Sequence, residues 1–236
     1  MANNQFDFKQ FSVRQERCAM KVGTDGVLLG AWANGGRRIL DIGAGTGLVS
    51  LMMAQRYKDA VVDAVEIDAD AAEEAGENVA ASPFAARVKV VNDSIQSFAL
   101  HAAEGAYDSI VSNPPFFVQS LKNPDSKRAM ARHSDSLPFA DLVHACCKLL
   151  SQEGVFSVIV PAEQLEPFLA ECCLSGLFLS RRCAVKTTER KPAKRYLLEF
   201  AKRHPAIFED RVEVLSCAGL KRSPWYQKIT DDFYIF

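Results

Sequence analysis

The sequence predicts an α/β protein in which a parallel-dominated sheet is covered by helices on both faces. Three observations support this fold class. Short apolar segments of strand length alternate with periodic segments of helix length. A glycine-rich turn, Gly43–Gly47, joins the first of these strands to the first helix. Two strand-like segments near the carboxyl end follow one another without a helix, which predicts an antiparallel addition at the sheet edge.

The predicted elements can be placed in chain order. Strands are expected over residues 38–42, 61–67, 88–91, 109–111, 155–160, 179–186 and 195–201, and helices over 48–57, 69–81, 139–150 and 162–174. Asp68 is placed to cap the second helix. Residues 119–138 are polar and lack periodicity, so they predict a long loop, and loops of that length are often functional.

Length and composition predict one soluble domain. The chain has 236 residues, with 48% hydrophobic and 24% charged residues, which argues against disorder and fibrous repeats. We expect a single domain over 1–236, with an N-terminal extension (1–36), a core (37–202) and a C-terminal extension (203–236). No apolar run approaches the roughly 20 residues of a membrane span, and residues 1–21 lack the apolar core of a signal peptide.

Cysteine and histidine usage fits a cytoplasmic protein without a metal site. The seven cysteines are odd in number, form no CxxC motif and include two adjacent pairs. This pattern is typical of buried thiols in a reducing compartment. The four histidines have no metal-ligand spacing to the cysteines.

The net charge of −1 conceals two segments of opposite sign. Residues 59–78 contain eight acidic and no basic residues, whereas residues 181–203 contain nine basic and two acidic residues. The basic run is either a solvated face or a surface that faces a polyanion.

The glycine turn predicts a ligand site. Glycine lets a ligand approach the backbone closely, because no Cβ intervenes. A dinucleotide fingerprint, G-x-G-x-x-G, would require glycine at position 48, where this chain has Leu48. The turn therefore favours a ligand without a pyrophosphate.

Acidic residues follow the next two strands. Glu66 comes about 20 residues after the glycine turn, where a carboxylate can accept ribose hydroxyls, and Asp68 is an alternative. Asp93 and Ser94 follow the third strand, where an acid can accept a hydrogen bond from an adenine amino group. Together with the glycine turn, these residues predict an adenosine-shaped site at the carboxyl ends of the strands.

The segment Asn113-Pro114-Pro115-Phe116 directly follows the fourth strand. A purine amine is a poor nucleophile because its lone pair is delocalised into the ring. The side-chain oxygen of Asn113 and the carbonyl of Pro114 can each accept one N–H, which would hold the amine and direct its lone pair. Two prolines restrict the backbone, and Phe116, with Phe117, offers a face for stacking a base. The alternative is a rigid turn after a strand.

These motifs together resemble the class I S-adenosylmethionine-dependent methyltransferases that modify exocyclic or amide nitrogens. The resemblance covers roughly residues 37–202 and implies a three-layer Rossmann-like fold with a mostly parallel seven-stranded sheet. It implies S-adenosylmethionine as the cofactor and the NPPF residues as the catalytic set: Asn113, Pro114, Pro115 and Phe116.

The flanks narrow the resemblance. Phe8–Phe11, Cys18–Gly30, Tyr226 and Asp232–Tyr234 are similar to the bacterial valine-tRNA adenine N6-methyltransferases, which modify adenine 37 beside the anticodon. This resemblance implies that Lys21, Thr24 and Asp25 lie over the methionine end of the cofactor. The full predicted cofactor set is Lys21, Thr24, Asp25, Asp41, Gly43, Gly45, Gly47, Glu66, Asp93, Ser94 and Asn113.

The implied partner is tRNA, with no membrane and no obligate protein partner. Phe117 is expected to contact the RNA, together with cations from the long loop and the basic run: Lys122, Lys127, Arg128, Arg132, Lys191, Lys194 and Arg195.

Two related activities remain as alternatives. A protein glutamine N5-methyltransferase shares the Asn-Pro-Pro-aromatic geometry but carries an N-terminal helical domain, for which about 36 residues before the first strand leave too little room. An rRNA guanine N2-methyltransferase shares the core but has a duplicated or extended chain. A DNA adenine enzyme would need a target-recognition domain, for which no room is expected.

Overall fold

An eight-stranded sheet forms the centre of the structure, a computed structural model that describes residues 4–115, 137–219 and 221–235. The strands are β1 (Gln5–Asp7), β2 (Ser12–Arg14), β3 (Arg38–Ile42), β4 (Val61–Glu66), β5 (Val88–Asn92), β6 (Tyr107–Ser112), β7 (Leu150–Pro161), β8 (Phe178–Lys186), β9 (Ala193–Ala201) and β10 (Glu209–Val214). The helices are α1 (Thr24–Trp32), α2 (Leu48–Arg56), α3 (Ala69–Ala80), α4 (Ile95–His101), α5 (Phe139–Leu149), α6 (Leu165–Leu174) and α7 (Pro224–Thr230), with a 3-10 turn at Ala162–Gln164.

The strand order in the main sheet is β10-β8-β9-β7-β6-β3-β4-β5, and β1 and β2 form a separate antiparallel pair. All main-sheet strands run parallel except β9, which is antiparallel to both β7 and β8. The carboxyl ends of seven strands therefore meet at one edge of the sheet. The beginning of β9 lies at this same edge.

The mostly parallel sheet confirms the predicted fold class, but two details were wrong. The sheet has eight strands instead of seven, because β10 adds beside β8. The antiparallel strand β9 is third in the strand order and not outermost, because the parallel strands β8 and β10 lie beyond it. In the segment Glu209–Val214 only Val212 and Val214 are apolar, and four charged residues obscure the alternation by which a strand is recognised from sequence.

Two hydrophobic cores pack against the two faces of the sheet. One lies beneath α1, α2 and the end of α3, and includes the buried side chains of Leu28, Met52 and Val79. The other lies beneath α4, α5 and α6, and includes Cys146 and Phe168. Helices on both faces give the three layers that the alternation of elements predicts. None of the helices in the described residues has the length and apolar character that a bilayer span requires.

The two chain termini pack together on the first of these faces. Phe8 forms an isolated bridge with Tyr234, and the Lys9 amide donates to the Phe233 carbonyl at 2.7 Å. The rings of Phe8 and Tyr234 stack at 5.9 Å. This contact fixes the N-terminal segment relative to α7, and thereby its path toward the edge where the strands end.

Candidate active site

Four predicted site elements meet at the carboxyl edge of the sheet. The glycine turn follows β3, Glu66 ends β4, Asp93 follows β5, and Asn113 follows β6. The strands are direct neighbours in the order β5-β4-β3-β6, with a spacing of about 4.8 Å. The topology therefore brings these side chains to one continuous rim.

The glycine turn adopts a conformation that other residues rarely take. Gly43, Gly45 and Gly47 have positive φ angles of 73°, 54° and 80°. A Cβ built at Gly43 would meet nothing within 4 Å, so the space beside this backbone is open to a ligand. The amides of Gly43 and Ala44 donate to the Val65 carbonyl at 2.9 and 3.1 Å, which holds the turn against β4.

The side chain of Glu66 also holds the turn. One carboxylate oxygen accepts the Gly45 amide at 2.7 Å, and the other accepts the Asp68 amide at 2.9 Å. The residue is only 8% exposed. Each oxygen keeps a further lone pair, so the carboxylate can still accept ribose hydroxyls. Asp68 caps α3 by accepting the Ala71 amide at 2.8 Å, as predicted, so the two acids have separate tasks in the fold.

Asp41 lies below the turn and is 1% exposed. Its Oδ2 accepts the Ser50 hydroxyl at 2.6 Å, which ties β3 to the first turn of α2. Burial raises the pKa of Asp41 to about 7, although hydrogen bonds from Ser50 act in the opposite direction. Asp41 was predicted to contact the cofactor; the structure shows it buried two residues before Gly43, with its carboxylate bonded to Ser50.

The β5 end supplies Asp93 and Ser94. Asp93 is half-buried, and its Oδ1 accepts the Ser94 amide at 2.8 Å. The Ser94 hydroxyl caps α4 by accepting the Ser97 amide at 3.1 Å, so it has a structural partner already. Ile67, which the sequence analysis did not select, lies next to Glu66 and is 63% exposed. Its signal in the sequence is an apolar residue directly after the strand-ending acid, and its exposed side chain could pack on a planar ring.

The Asn113 side of the site is bounded by α1. A Cβ built at Gly26 would lie 3.9 Å from Asn113 Nδ2 and 3.1 Å from Leu48 Cδ2. A side chain at position 26 would therefore press on Leu48, while its Cβ would stand at ordinary van der Waals distance from the Asn113 amide. Pro114 and Pro115 continue from Asn113, while Phe116, Phe117, Lys122, Lys127, Arg128, Arg132 and most of the predicted loop 119–138 lie outside the described residues.

Two buried side chains of α3 position the N-terminal segment over the glycine turn. Glu74 accepts the amides of Glu16, Arg17 and Cys18 at 2.7 to 3.3 Å. One turn later, Asn78 donates to the carbonyls of Thr46 and Arg14 at 3.0 Å and accepts the Arg14 amide. The Cys18 sulfur lies 3.4 Å from the position of a Cβ on Gly45. Sequence reasoning missed both residues, because their partners are backbone groups between 32 and 64 positions away.

The predicted residues Lys21, Thr24 and Asp25 follow this segment. Lys21 and Thr24 are exposed, and Asp25 lies in the first turn of α1. Asp25 Oδ2 accepts from Arg195 Nε at 2.7 Å. A predicted cofactor residue is thus paired with a predicted RNA residue.

The basic run divides between the two edges of the sheet. β8 ends and β9 begins at the carboxyl edge, so the connection between Lys186 and Ala193 projects there. Lys202 and Arg203 follow the end of β9 at the opposite edge, about 27 Å away for eight residues of strand. Arg181 is partnered by the buried Glu199 at 3.1 Å and lies over the Trp32 ring. The basic run is therefore not one surface.

Comparison with known proteins identifies relatives of this chain. The sequence model of the methyltransferase small-domain family matches residues 22–137. A tRNA1(Val) (adenine(37)-N6)-methyltransferase of Trichodesmium erythraeum is 45% identical over 239 residues, which cover 100% of this chain and 99% of that protein. The protein of the same name from Phocaeicola vulgatus is 52% identical over 202 residues, 85% of each chain. This chain belongs to the tRNA1(Val) (adenine(37)-N6)-methyltransferase family.

Solved structures confirm the fold of this family member. A "predicted O-methyltransferase" of Agrobacterium tumefaciens has a TM-score of 0.69 at 19% identity, covering 90% of this chain and 98% of that one. Pyrococcus horikoshii TYW2, solved in complex with MeSAdo, has a TM-score of 0.57 at 15% identity, covering 82% and 69%. At these identities the likeness concerns the methyltransferase fold alone. The resemblance inferred from the sequence motifs is confirmed by the relatives.

Proposed function

We propose that this protein transfers a methyl group from S-adenosylmethionine to N6 of adenine 37 in valine tRNA. The observation that carries the proposal is the position of Asn113, which ends β6 beside the glycine turn and the Glu66 carboxylate on one sheet edge. This arrangement sets a group able to hold a purine amine next to an adenosine-shaped cradle. Membership of the tRNA1(Val) methyltransferase family supports the same reaction.

The described residues fit S-adenosylmethionine. The open backbone at Gly43 leaves room for the ligand, Glu66 can accept ribose hydroxyls, and Asp93 can accept an adenine amino group. Exposed Ile67 offers an apolar surface beside them. The rim is rich in carboxylates, which favours a cationic ligand. When bound, the cofactor supplies an electrophilic methyl group on a sulfonium.

The chain's own contribution to the reaction is orientation. The Asn113 side-chain oxygen and the Pro114 carbonyl each accept one N–H of the exocyclic amine, which fixes the amine and turns its lone pair outward. At Gly26 the α1 backbone lies beside the Asn113 amide with no side chain between them. An amide is not a base, so Asn113 stabilises the amine and takes no proton from it. The base would stack on Phe116, with Phe117 and the cations Lys122, Lys127, Arg128 and Arg132 contacting the RNA.

An anticodon-loop base suits such a site energetically. Turning an unpaired base out of a loop costs less than breaking a pair in a duplex. The exposed cations Lys191 and Lys194 lie at the carboxyl edge of the sheet, as Asn113 does, and can contact RNA phosphates.

Product analysis tests the proposed function. The purified protein is incubated with labelled S-adenosylmethionine and separate pools of tRNA, rRNA, DNA and release factor, and the modified residue is identified by mass spectrometry. We expect N6-methyladenine in tRNA. Label on a protein glutamine or on guanine N2, with none on tRNA adenine, would assign the reaction to one of the two alternative activities.

A further inference from the structure

The carboxyl edge of the sheet divides into two halves. The candidate cofactor residues lie over β3, β4 and β5, and Asn113 lies at the end of β6 beside them. The other half, formed by β7, β9, β8 and β10, extends four strand spacings from β6, or about 19 Å. Along that distance a nucleic-acid duplex carries on the order of ten phosphates. RNA that delivers a base to Asn113 has this second half available for its flanking parts.

Two loops lie side by side over the second half. The hairpin loop 187–192 joins β8 to β9, and the segment between β10 and α7 is described at 215–219 and 221–223. The Leu215 amide donates to the Lys186 carbonyl at 2.9 Å, and the Ser216 amide donates to the Thr187 carbonyl at 3.1 Å. The Ser223 amide donates to the Leu215 carbonyl at 2.8 Å, which closes the second loop at its base. The two loops are thus fixed to one another by backbone hydrogen bonds.

Among the exposed residues of 187–194, 215–219 and 221–223, four are cationic and one is acidic. Arg190, Lys191, Lys194 and Lys221 are exposed. Residues 215–230 contain no acidic residue, and the hairpin loop contains only Glu189. Among the described residues, no carboxylate lies within ion-pair distance of Lys191, Lys194 or Lys221. By contrast, Arg182 is held by Asp210, and Arg195 by Asp25.

We propose that residues 187–194, 215–219 and 221–223 form a platform for the helical stem of the RNA whose loop base enters the site at Asn113. This inference rests on the proposed function and adds a requirement to it: the substrate is a stem-loop, not a linear strand. Cations carried on fixed loops at the same sheet edge as Asn113 can contact phosphates without reading sequence, which suits a duplex backbone. The unpaired loop supplies the reacting base, and the platform supplies affinity and orientation.

The structure offers a matched control at the opposite edge. Lys58 precedes β4, Lys89 is the second residue of β5, and Lys202 follows the end of β9, so all three cations lie toward the amino edge of the parallel strands. Among the described residues, none of the three has a carboxylate within ion-pair distance. Removing three charges there changes the net charge as much as removing three from the platform. Any difference between the two triple variants therefore reports location instead of total charge.

The experiment compares wild type, a platform variant (Lys191→Ser, Lys194→Ser, Lys221→Ser) and the control variant (Lys58→Ser, Lys89→Ser, Lys202→Ser). Binding of a valine anticodon stem-loop RNA, and of the same loop as a linear strand, is measured between about 50 and 200 mM salt. Wild type should prefer the stem-loop. The platform variant should lose about tenfold or more in stem-loop affinity, and the slope of log K against log salt should fall by roughly two to three. Its S-adenosylmethionine affinity should match wild type, and the control variant should retain both affinities.

Several outcomes would overturn the platform. These are unchanged stem-loop affinity in the platform variant, equal losses in both variants, or equal wild-type affinity for the stem-loop and the linear strand. A location-dependent loss of binding, combined with no methyl transfer to any tRNA, would support the platform and overturn the proposed function. The two failures are therefore distinguishable.

Discussion

Arg195 on β9 donates a hydrogen bond from Nε to Oδ2 of Asp25 on α1 at 2.7 Å. The contact joins residues 170 positions apart and connects the beginning of the basic strand to the segment that borders Asn113. Both side chains are more than one-third exposed, so this pair resembles a surface ion pair worth roughly 0–1 kcal/mol. Its effect is expected on the alignment of α1 more than on global stability.

Arg195→Gln should therefore weaken tRNA binding less than Lys194→Gln, because the Arg195 charge is partly neutralised by Asp25. A double-mutant cycle with Asp25→Asn should show a coupling of up to about 1 kcal/mol in S-adenosylmethionine affinity, measured by calorimetry. Equal tRNA losses for the two single variants, with no coupling to Asp25, would return Arg195 to the RNA-contacting role that the sequence predicted.

Glu66 and Arg195 illustrate which parts of the site could be predicted from the sequence and which could not. The glycine turn, Glu66, Asp93 and Asn113 were predictable because each follows a recognisable apolar strand, and parallel strands bring their carboxyl ends together. The partner of Arg195, Asp25, was not predictable from the sequence, since the contact depends on where β9 lies relative to α1.

Glu74 and Asn78 were unpredictable for the same reason. Both lie in a helix rich in acidic residues, where a buried position cannot be distinguished from a solvated one by residue type. The strand β10 was missed because its charges obscure the alternation of a sheet edge. Local periodicity thus predicted most strands and helices. The contacts that support the site join residues far apart in the chain, and periodicity does not report them.

Glu66→Ala should weaken S-adenosylmethionine binding by about 1–3 kcal/mol, since it removes a buried carboxylate that holds the Gly45 amide and can accept ribose hydroxyls. Affinity for tRNA should not change. Isothermal calorimetry checks the first expectation and filter binding the second. Asp68→Ala is the control for a helix cap at the adjacent acid. A larger loss of cofactor affinity in that variant would move the ribose role to Asp68.

Asn113→Ala should lower the rate of transfer by about 10²–10³-fold, because it removes one acceptor that positions the amine. The residue is proposed to contact the substrate base and not to provide the main cofactor contacts, so S-adenosylmethionine affinity should remain close to that of wild type. Single-turnover kinetics with tRNA measure the rate, and calorimetry measures the affinity. Wild-type turnover in the variant would contradict the assignment.

Glu74→Gln should destabilise the fold by about 1–3 kcal/mol at neutral pH, since a glutamine has one acceptor oxygen where the carboxylate serves three backbone amides. Burial raises the pKa of Glu74, but the amides of Glu16, Cys18 and Arg17 outweigh it, so the pKa lies below the ordinary value. The stabilisation is therefore present above the ordinary pKa and is lost as pH falls through the lowered one. Urea unfolding should show the difference between wild type and Glu74→Gln shrinking below about pH 4. Glu73→Gln, on the exposed face of the same helix, should have little effect, and a Glu74→Gln difference that is constant across pH would contradict the carboxylate's role.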